Sequence, residues 1–139
     1  MKISIQQEDF DVSTELQLLR KDLPGIGGIN VFVGTVRDTH QGDEVQSMEL
    51  EHYPGMTEKA LQEIVEQAKT RWDVLNATII HRVGKLHPSD QIVLVAVAST
   101  HRGDAYAACE FMMDYLKTSA PFWKKEYTPE GSRWVDART

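Results

Sequence analysis

Residues 92–99 form an almost unbroken apolar run, IVLVAVAS, and this run constrains the fold more than any other segment. Isoleucine and valine favour strands, and a strand that is apolar at successive positions is one covered on both faces. The run is too short to cross a bilayer, which takes about 20 apolar residues in a helix. We therefore expect a central strand of a sheet, with other elements packed on both sides of it.

Three segments place apolar residues three or four positions apart, which is the spacing of a helix with one buried face. Thr57 is the predicted N-cap of the second helix, since a threonine hydroxyl can accept a bond from the first turn. Pro121 prevents the third helix from continuing. The predicted helices run from Asp11 or Ser13 to about Lys21, from Thr57 to Trp72, and from Gly103 or Asp104 to about Lys117.

Alternating or continuous apolar residues between turn signals predict the strands. Residues 29–37 and 45–53 are expected to form an antiparallel hairpin through the polar loop 38–44. The order of elements predicts an α+β fold, with helices packed on a mixed or antiparallel sheet, and the length fits one domain, 1–139. The predicted strands are Lys2 to Gln6, Ile29 to Arg37, Val45 to Tyr53, Ala77 to Val83, Ile92 to Ser99, Phe122 to Tyr127 and Arg133 to Asp136.

The formal net charge of −6 argues against a broad nucleic-acid surface, because such binding requires many cations facing phosphates. The N-terminus has no apolar signal core, so a cytoplasmic location is the default expectation. Cys109 is the single cysteine, which excludes an internal disulfide. It shares the apolar stripe of the third helix, and we predict a core thiol rather than a nucleophile.

The histidines show no spacing that favours a metal site, and neither a metal nor another cofactor is expected. The dipeptide His81-Arg82 lies inside a predicted strand, where a structural role is the better interpretation. The histidines stand at positions 40, 52, 81, 87 and 101.

Positive charge is nevertheless concentrated near the end of this acidic chain. Lys117 and the pair Lys124-Lys125 flank a rigid aromatic turn with the sequence PFW. His101-Arg102 stands where the apolar strand gives way to the third helix, and free backbone N–H groups at a helix N-terminus favour anions. Together these residues predict a pocket for an anionic ligand.

Each of these cations also has a purely structural explanation. Lys117 is favoured in the last turn of a helix by the helix dipole, Arg102 can pair with a surface carboxylate, and Arg37 ends a strand. Lys124 and Lys125 are adjacent in an extended segment and point to opposite faces, so at most one of them faces a given pocket. In the functional alternative, Lys117 is a positioned ammonium that exchanges protons with a ligand.

Seven short motifs follow one another along nearly the whole chain. They are FVGTVRD at 32–38, ELEHYPGM at 49–56, HRVG at 81–84, STHR at 99–102, DYLK at 114–117, PFWKKE at 121–126 and RWV at 133–135. Each motif is weak alone, but the ordered set closely resembles the large, catalytic subunit of molybdopterin synthase.

The resemblance implies an α/β hammerhead-like fold with a small β subdomain, and a homodimer at the centre of a heterotetramer. It implies a sulfurtransferase that works with a small ubiquitin-like sulfur-carrier subunit. The carrier's C-terminal Gly-Gly tail, activated as a thiocarboxylate, would deliver sulfur to cyclic pyranopterin monophosphate (precursor Z) and form the dithiolene of molybdopterin. Because the carrier supplies the sulfur, Cys109 need not react.

The resemblance also implies roles for individual residues. Lys117 would sit where tail and substrate meet, as a general acid/base or electrostatic stabiliser, and Lys124 would neutralise developing charge or assist proton transfer. Thr35 stands where some family members carry a lysine, which leaves a backbone contact as its implied role. The implied substrate-binding residues are Arg37, Thr35, Val36, His101, Arg102, Lys125 and Glu126.

Two functions of other classes also fit these features. In the first, the basic pocket belongs to a non-catalytic module that senses a phosphorylated metabolite. In the second, the chain is a scaffold that binds a ubiquitin-like protein and performs no small-molecule chemistry. Conversion of the precursor in a single turnover separates these alternatives, because neither a sensor nor a scaffold would convert it.

Overall fold

Ten strands and three helices form within residues 1–135, the part of the chain that this computed structural model describes. In chain order they are β1 (Lys2–Gln6), α1 (Val12–Arg20), β2 (Gly28–Thr35), β3 (Thr39–His40), β4 (Asp43–Glu44), β5 (Ser47–His52), α2 (Met56–Arg71), β6 (Asn76–Arg82), β7 (Gly84–Leu86), β8 (Gln91–Ser99), α3 (Arg102–Thr118), β9 (Phe122–Thr128) and β10 (Gly131–Val135). The predicted α+β class is confirmed. Asp136, the predicted last residue of the final strand, lies outside the described residues.

The apolar strand β8 lies inside a four-stranded sheet with the order β1-β6-β8-β2. It pairs antiparallel with β6 and β2, whereas β1 pairs parallel with β6. Odd-numbered side chains of residues 93–97 pack with α2 and α3, and even-numbered side chains of residues 94–98 pack with α1. Both faces are therefore covered, as the sequence predicted, and each buried valine or leucine contributes about 1.5–3 kcal/mol.

The helices α1 and α3 begin within two residues of their predicted starts. Asp11, one of the two predicted caps, is the N-cap of α1, and its carboxylate accepts a bond from the Thr14 N–H at 3.3 Å. The N-cap of α3 is His101, and its side chain makes no capping bond. The backbone N–H groups in the first turn of α3 therefore donate no hydrogen bond to the His101 side chain.

The predicted N-cap of α2 is wrong, because a glycine turn begins the helix earlier. Gly55 is the N-cap with a φ of +85°, a conformation that favours glycine, and its N–H donates to the Glu58 carboxylate at 2.6 Å. Thr57 is fully buried in the first turn, and its hydroxyl donates to the Tyr53 carbonyl at 2.7 Å. The threonine hydroxyl thus bonds backward along the chain instead of capping forward.

A second sheet has the order β10-β9-β5-β7, and all its pairings are antiparallel. The predicted hairpin of β2 with β5 is therefore wrong, because the two strands belong to different sheets. β2 finds its partner in the apolar β8, and the loop 38–44 forms its own small hairpin, β3–β4. Burial against a distant apolar strand has outweighed proximity along the chain. The three-residue β7 was not predicted.

The chain passes from the first sheet to the second just after β2. The pairing of β2 with β8 is interrupted by a bulge at Gly34 and Thr35. Val36 then donates its N–H to the Asp90 carbonyl at 2.9 Å and accepts from the Ser89 N–H at 2.8 Å. Its side chain is buried in the core of the second sheet. Of the helices within residues 1–135, none has the length and apolar character needed to cross a membrane.

Candidate active site

A cleft opens where the two sheets meet, beside the C-terminal end of α3. It has two adjoining compartments: a largely apolar one of about 130 Å³, here called the sleeve, and a polar one of about 270 Å³, here called the basin. Both are lined by Thr35, Met48, Ile92, Lys117 and Lys124. The sleeve adds, among others, Phe32, Leu50, His81, Met113 and Phe122, and the basin adds Val36, Arg37, Thr39, His40 and Glu126.

Two lysines from different elements meet at the junction of the compartments. Lys117 is exposed in the last turn of α3, and Lys124 is half-buried in β9. Lys125 points away from the cleft, and its Nζ lies 5.6 Å from the ring centroids of both Tyr127 and Trp134. As the alternation of a strand predicts, one member of the lysine pair faces the cleft, and Lys125 lies outside both compartments.

The basin concentrates cations, and two of them form no ion pair within the described residues. Arg37 and Lys117 make no ion pair with any carboxylate among residues 1–135. Together with Lys124 they line the same polar compartment. In a chain of net charge −6, such a local excess of positive charge attracts anions, and the cleft walls strengthen the effect by excluding water.

Glu126 lines the basin but is bound within the protein. It is 2 % exposed, and its Oε1 lies 2.8 Å from His40 Nδ1. The same oxygen accepts bonds from Arg133 Nε at 3.3 Å and Nη2 at 3.2 Å. Arg133 also donates to the His40 carbonyl at 3.2 Å and to Asp43 at 2.8 Å. These contacts hold the β3–β4 hairpin against β9 and β10, so Glu126 positions a wall of the basin.

Thr35 and Val36 differ in what they offer to a ligand. Both backbone groups of Val36 are bonded and its side chain is buried, so Val36 forms a wall without a free polar group. Thr35 is exposed at the bulge and lines both compartments. Of these two residues, Thr35 is therefore the one that a ligand in the cleft can reach.

His101 and Arg102 are not brought to the cleft of their own chain. They lie at the N-terminal end of α3, whereas Lys117 lies in its last turn. At 1.5 Å per residue the helix separates Arg102 from Lys117 by about 22 Å. Both residues are exposed. A single copy of the chain therefore does not assemble all the predicted cations into one pocket.

His81 is a cleft residue that the sequence did not reveal. It is 8 % exposed in the wall of the sleeve, its Nδ1 lies 2.8 Å from the Arg82 carbonyl, and its ring stacks on Phe122 with centroids 3.9 Å apart. Burial lowers the pKa of His81 to about 4, so the imidazole is neutral near pH 7. Arg82, in contrast, is structural as predicted, since it donates to the carbonyls of Gln7 and Gln91.

The depressed pKa of His81 predicts a loss of stability in acid. Between pH 6.5 and about 4 the unfolded chain binds a proton at His81 and the folded chain does not, so the free energy of unfolding falls as pH falls. The full shift corresponds to about 3 kcal/mol at about 1.36 kcal/mol per pKa unit. Urea unfolding across this interval should show a shallower pH dependence in His81→Phe. An equally steep slope in His81→Phe would contradict the assignment.

Comparison with known proteins places this geometry in a family. A family model described as "MoaE protein" matches residues 5–119. The "Molybdopterin synthase catalytic subunit" of Ralstonia nicotianae is 64 % identical over 136 residues, which are 98 % of this chain and 77 % of the relative.

Solved structures agree with the sequence relatives. The "Molybdopterin biosynthesis MoaE protein" from Burkholderia ambifaria has a TM-score of 0.86 and 59 % identity, covering 99 % of this chain and 90 % of that one. The molybdopterin synthase from Staphylococcus aureus has a TM-score of 0.87 and 35 % identity, covering 94 % of each chain. Since the family model spans most of the chain and close relatives cover nearly all of it, the chain belongs to the MoaE protein family.

Proposed function

We propose that this chain is the catalytic subunit of a molybdopterin synthase. It transfers sulfur from the C-terminal thiocarboxylate of a small ubiquitin-like carrier subunit to cyclic pyranopterin monophosphate, and so forms the dithiolene of molybdopterin. The observation that carries the proposal is the convergence of Arg37, Lys117 and Lys124 on one cleft of an acidic chain. Both reactants are anions, and both need cationic partners at the point where they meet.

Each of the two compartments is suited to one of the two reactants. The basin, with Arg37 and the two lysines, is suited to the phosphate and the polar ring edges of the pterin. The sleeve, with its mostly apolar walls, is suited to an extended chain that ends at the lysines. The thiocarboxylate then lies against the substrate at the junction that Lys117 and Lys124 line.

At that junction the lysines supply charge and protons. Lys117 acts as general acid/base or as an electrostatic stabiliser, and Lys124 neutralises charge that develops on the substrate. Lys117 is exposed in the isolated chain, so a tail docked in the sleeve covers it and excludes water from the reacting groups. The Ralstonia nicotianae relative is named a catalytic subunit, which is consistent with a second subunit as the source of this tail.

His101 and Arg102 enter this proposal only through a second copy of the chain. Because α3 holds them about 22 Å from Lys117, they bind substrate at a cleft only if a partner protomer presents them there. A homodimer at the centre of the assembly would allow that arrangement. The substrate-binding roles of Arg37 and Thr35 do not depend on a second copy.

The proposal is tested by a single-turnover assay with thiocarboxylated carrier protein and precursor Z. We expect the dithiolene product to appear with the native chain. Binding of precursor without conversion would favour the metabolite sensor, and tight carrier binding without response to precursor would favour the scaffold. Either result would overturn the proposed activity.

Cys109 provides a further test, because the proposal assigns the sulfur to the carrier. The thiol is buried on α3 near the Val95 carbonyl, and burial raises the pKa of Cys109 to about 11, which keeps it protonated. Cys109→Ala should therefore retain sulfur transfer, with a loss of about 1 kcal/mol in stability from the small cavity. A folded Cys109→Ala protein without activity in the same assay would refute the carrier as sole donor.

A further inference from the structure

We infer that His81 holds the carrier's C-terminal tail in the sleeve, by accepting a hydrogen bond from a backbone N–H of the tail through its Nε2. The inference rests on the proposed function and adds to it a residue that positions the tail rather than one that reacts. His81 lies in the wall of the sleeve, the compartment that Lys117 and Lys124 also line.

The ring of His81 is held in one orientation by two contacts. Nδ1 lies 2.8 Å from the Arg82 carbonyl oxygen, and since a carbonyl only accepts, Nδ1 carries the hydrogen. The ring also stacks on Phe122, with an interplanar angle of 16°. Because Nδ1 is held by the Arg82 carbonyl and the ring face by Phe122, the second nitrogen, Nε2, points in a defined direction.

The remaining nitrogen is an unused acceptor. Nε2 of His81 has no hydrogen bond to any part of the chain that the structure describes. Because burial keeps the ring neutral near pH 7, Nε2 bears a lone pair and no hydrogen. Such an acceptor repels carboxylate and phosphate oxygens and favours an N–H donor. It therefore suits the main chain of a peptide better than the anionic pterin.

The walls of the sleeve offer few other acceptors to an N–H that enters it. Besides His81 they consist mainly of apolar side chains, together with Thr35 and the two lysines, and a lysine ammonium only donates. A glycine tail that enters the sleeve brings amide N–H groups, and each must be satisfied once it leaves water.

The first experiment removes the donor and leaves the protein native. Semi-synthetic carriers with sarcosine at the last or at the penultimate position lack one tail N–H each. We expect one of the two to bind the native chain about fivefold to tenfold more weakly than the Gly-Gly carrier, the effect of one neutral hydrogen bond. Titration calorimetry with the unactivated carboxylate form of each carrier measures the difference.

The second experiment removes the acceptor. His81→Phe keeps an aromatic ring against Phe122 but has no nitrogen, and it should bind the Gly-Gly carrier about fivefold to tenfold more weakly. The sarcosine carrier that binds the native chain more weakly should show no additional loss of affinity for His81→Phe. His81→Gln, whose amide places an acceptor near the Nε2 position, should recover part of the affinity. His52→Phe, which removes an imidazole near Phe122 but outside the sleeve, is the matched control and should bind like the native chain.

The outcomes separate this inference from the function on which it rests. A native chain that binds no carrier overturns both. If the native chain binds both sarcosine carriers as tightly as it binds the Gly-Gly carrier, the inference alone is wrong. A second result would also show that the inference alone is wrong. In that result, His81→Phe lowers the affinity for a carrier that lacks its last two glycines as much as it lowers the affinity for the complete carrier. A general loss of structure would then explain the effect.

Discussion

Lys117→Ala should reduce sulfur transfer at least about 100-fold in a single-turnover assay, while the protein remains folded. The lysine lies where the sleeve and the basin adjoin. Its loss therefore removes one of the two lysine charges at the point where, in the proposed function, thiocarboxylate and substrate meet. Its side chain is exposed in the last turn of α3, and its favourable interaction with the helix dipole is worth only about 0.3–1 kcal/mol. Activity and stability should therefore respond very differently.

Lys125→Ala is the matched control for this prediction. It removes the same charge from the same region of the chain, but Lys125 lies against Tyr127 and Trp134 on the opposite face of β9. Its turnover should stay within about threefold of the native rate, since a surface charge distant from the reacting groups contributes little. Native turnover in Lys117→Ala, or equal losses in the two variants, would remove Lys117 from the centre of the proposed mechanism.

Gly27→Ala should lower the free energy of unfolding by at least about 3 kcal/mol. A Cβ at Gly27 would lie 1.9 Å from the Thr100 carbonyl oxygen, and no rotamer change can relieve a clash between a Cβ and the backbone. Gly27 also donates its N–H to the Ser99 carbonyl at 2.9 Å, so any displacement strains the junction of β2 and β8. Thermal unfolding should show a melting temperature lower by about 10 °C.

Gly25→Ala, two residues earlier in the same turn, controls for the change of residue type. A Cβ at Gly25 meets nothing within 4 Å, and its φ is outside the left-handed region. This variant should match the native chain or exceed its stability by about 0.4–1 kcal/mol, because alanine restricts the unfolded chain. A Gly27→Ala protein as stable as Gly25→Ala would show that the strand junction tolerates the displacement.

Local patterns were sufficient to predict most elements of the fold. The continuous apolar run became the covered strand β8, and the helical spacing of apolar residues located three helices, with Asp11 capping the first. These patterns succeed because the alternation of buried and exposed positions is a property of each segment. They failed at the start of α2, where the left-handed turn at Gly55 began the helix ahead of Thr57.

The pairing of strands was not available from the sequence. β2 and β5 were predicted to pair because they are neighbours along the chain, yet they belong to different sheets. Strand partners are chosen by the total burial that a pairing allows, and that burial depends on residues far away in sequence. The chain passes from one sheet to the other at the bulge beside Gly34. No pattern in the neighbouring residues predicts this change of sheet.

The sequence by itself determined the α+β class, the covered strand, the three helices and, through its ordered motifs, the family to which the chain belongs. Only the tertiary structure decided which of its charged and polar residues share a cleft. It placed Lys117 beside Lys124, turned Lys125 away, engaged Glu126 with His40, and set His81 in the wall of the sleeve. It also held Arg102 at the far end of α3. The reason is physical: residue type and spacing report the local face of a segment, whereas the neighbours of a side chain are set by how distant segments pack.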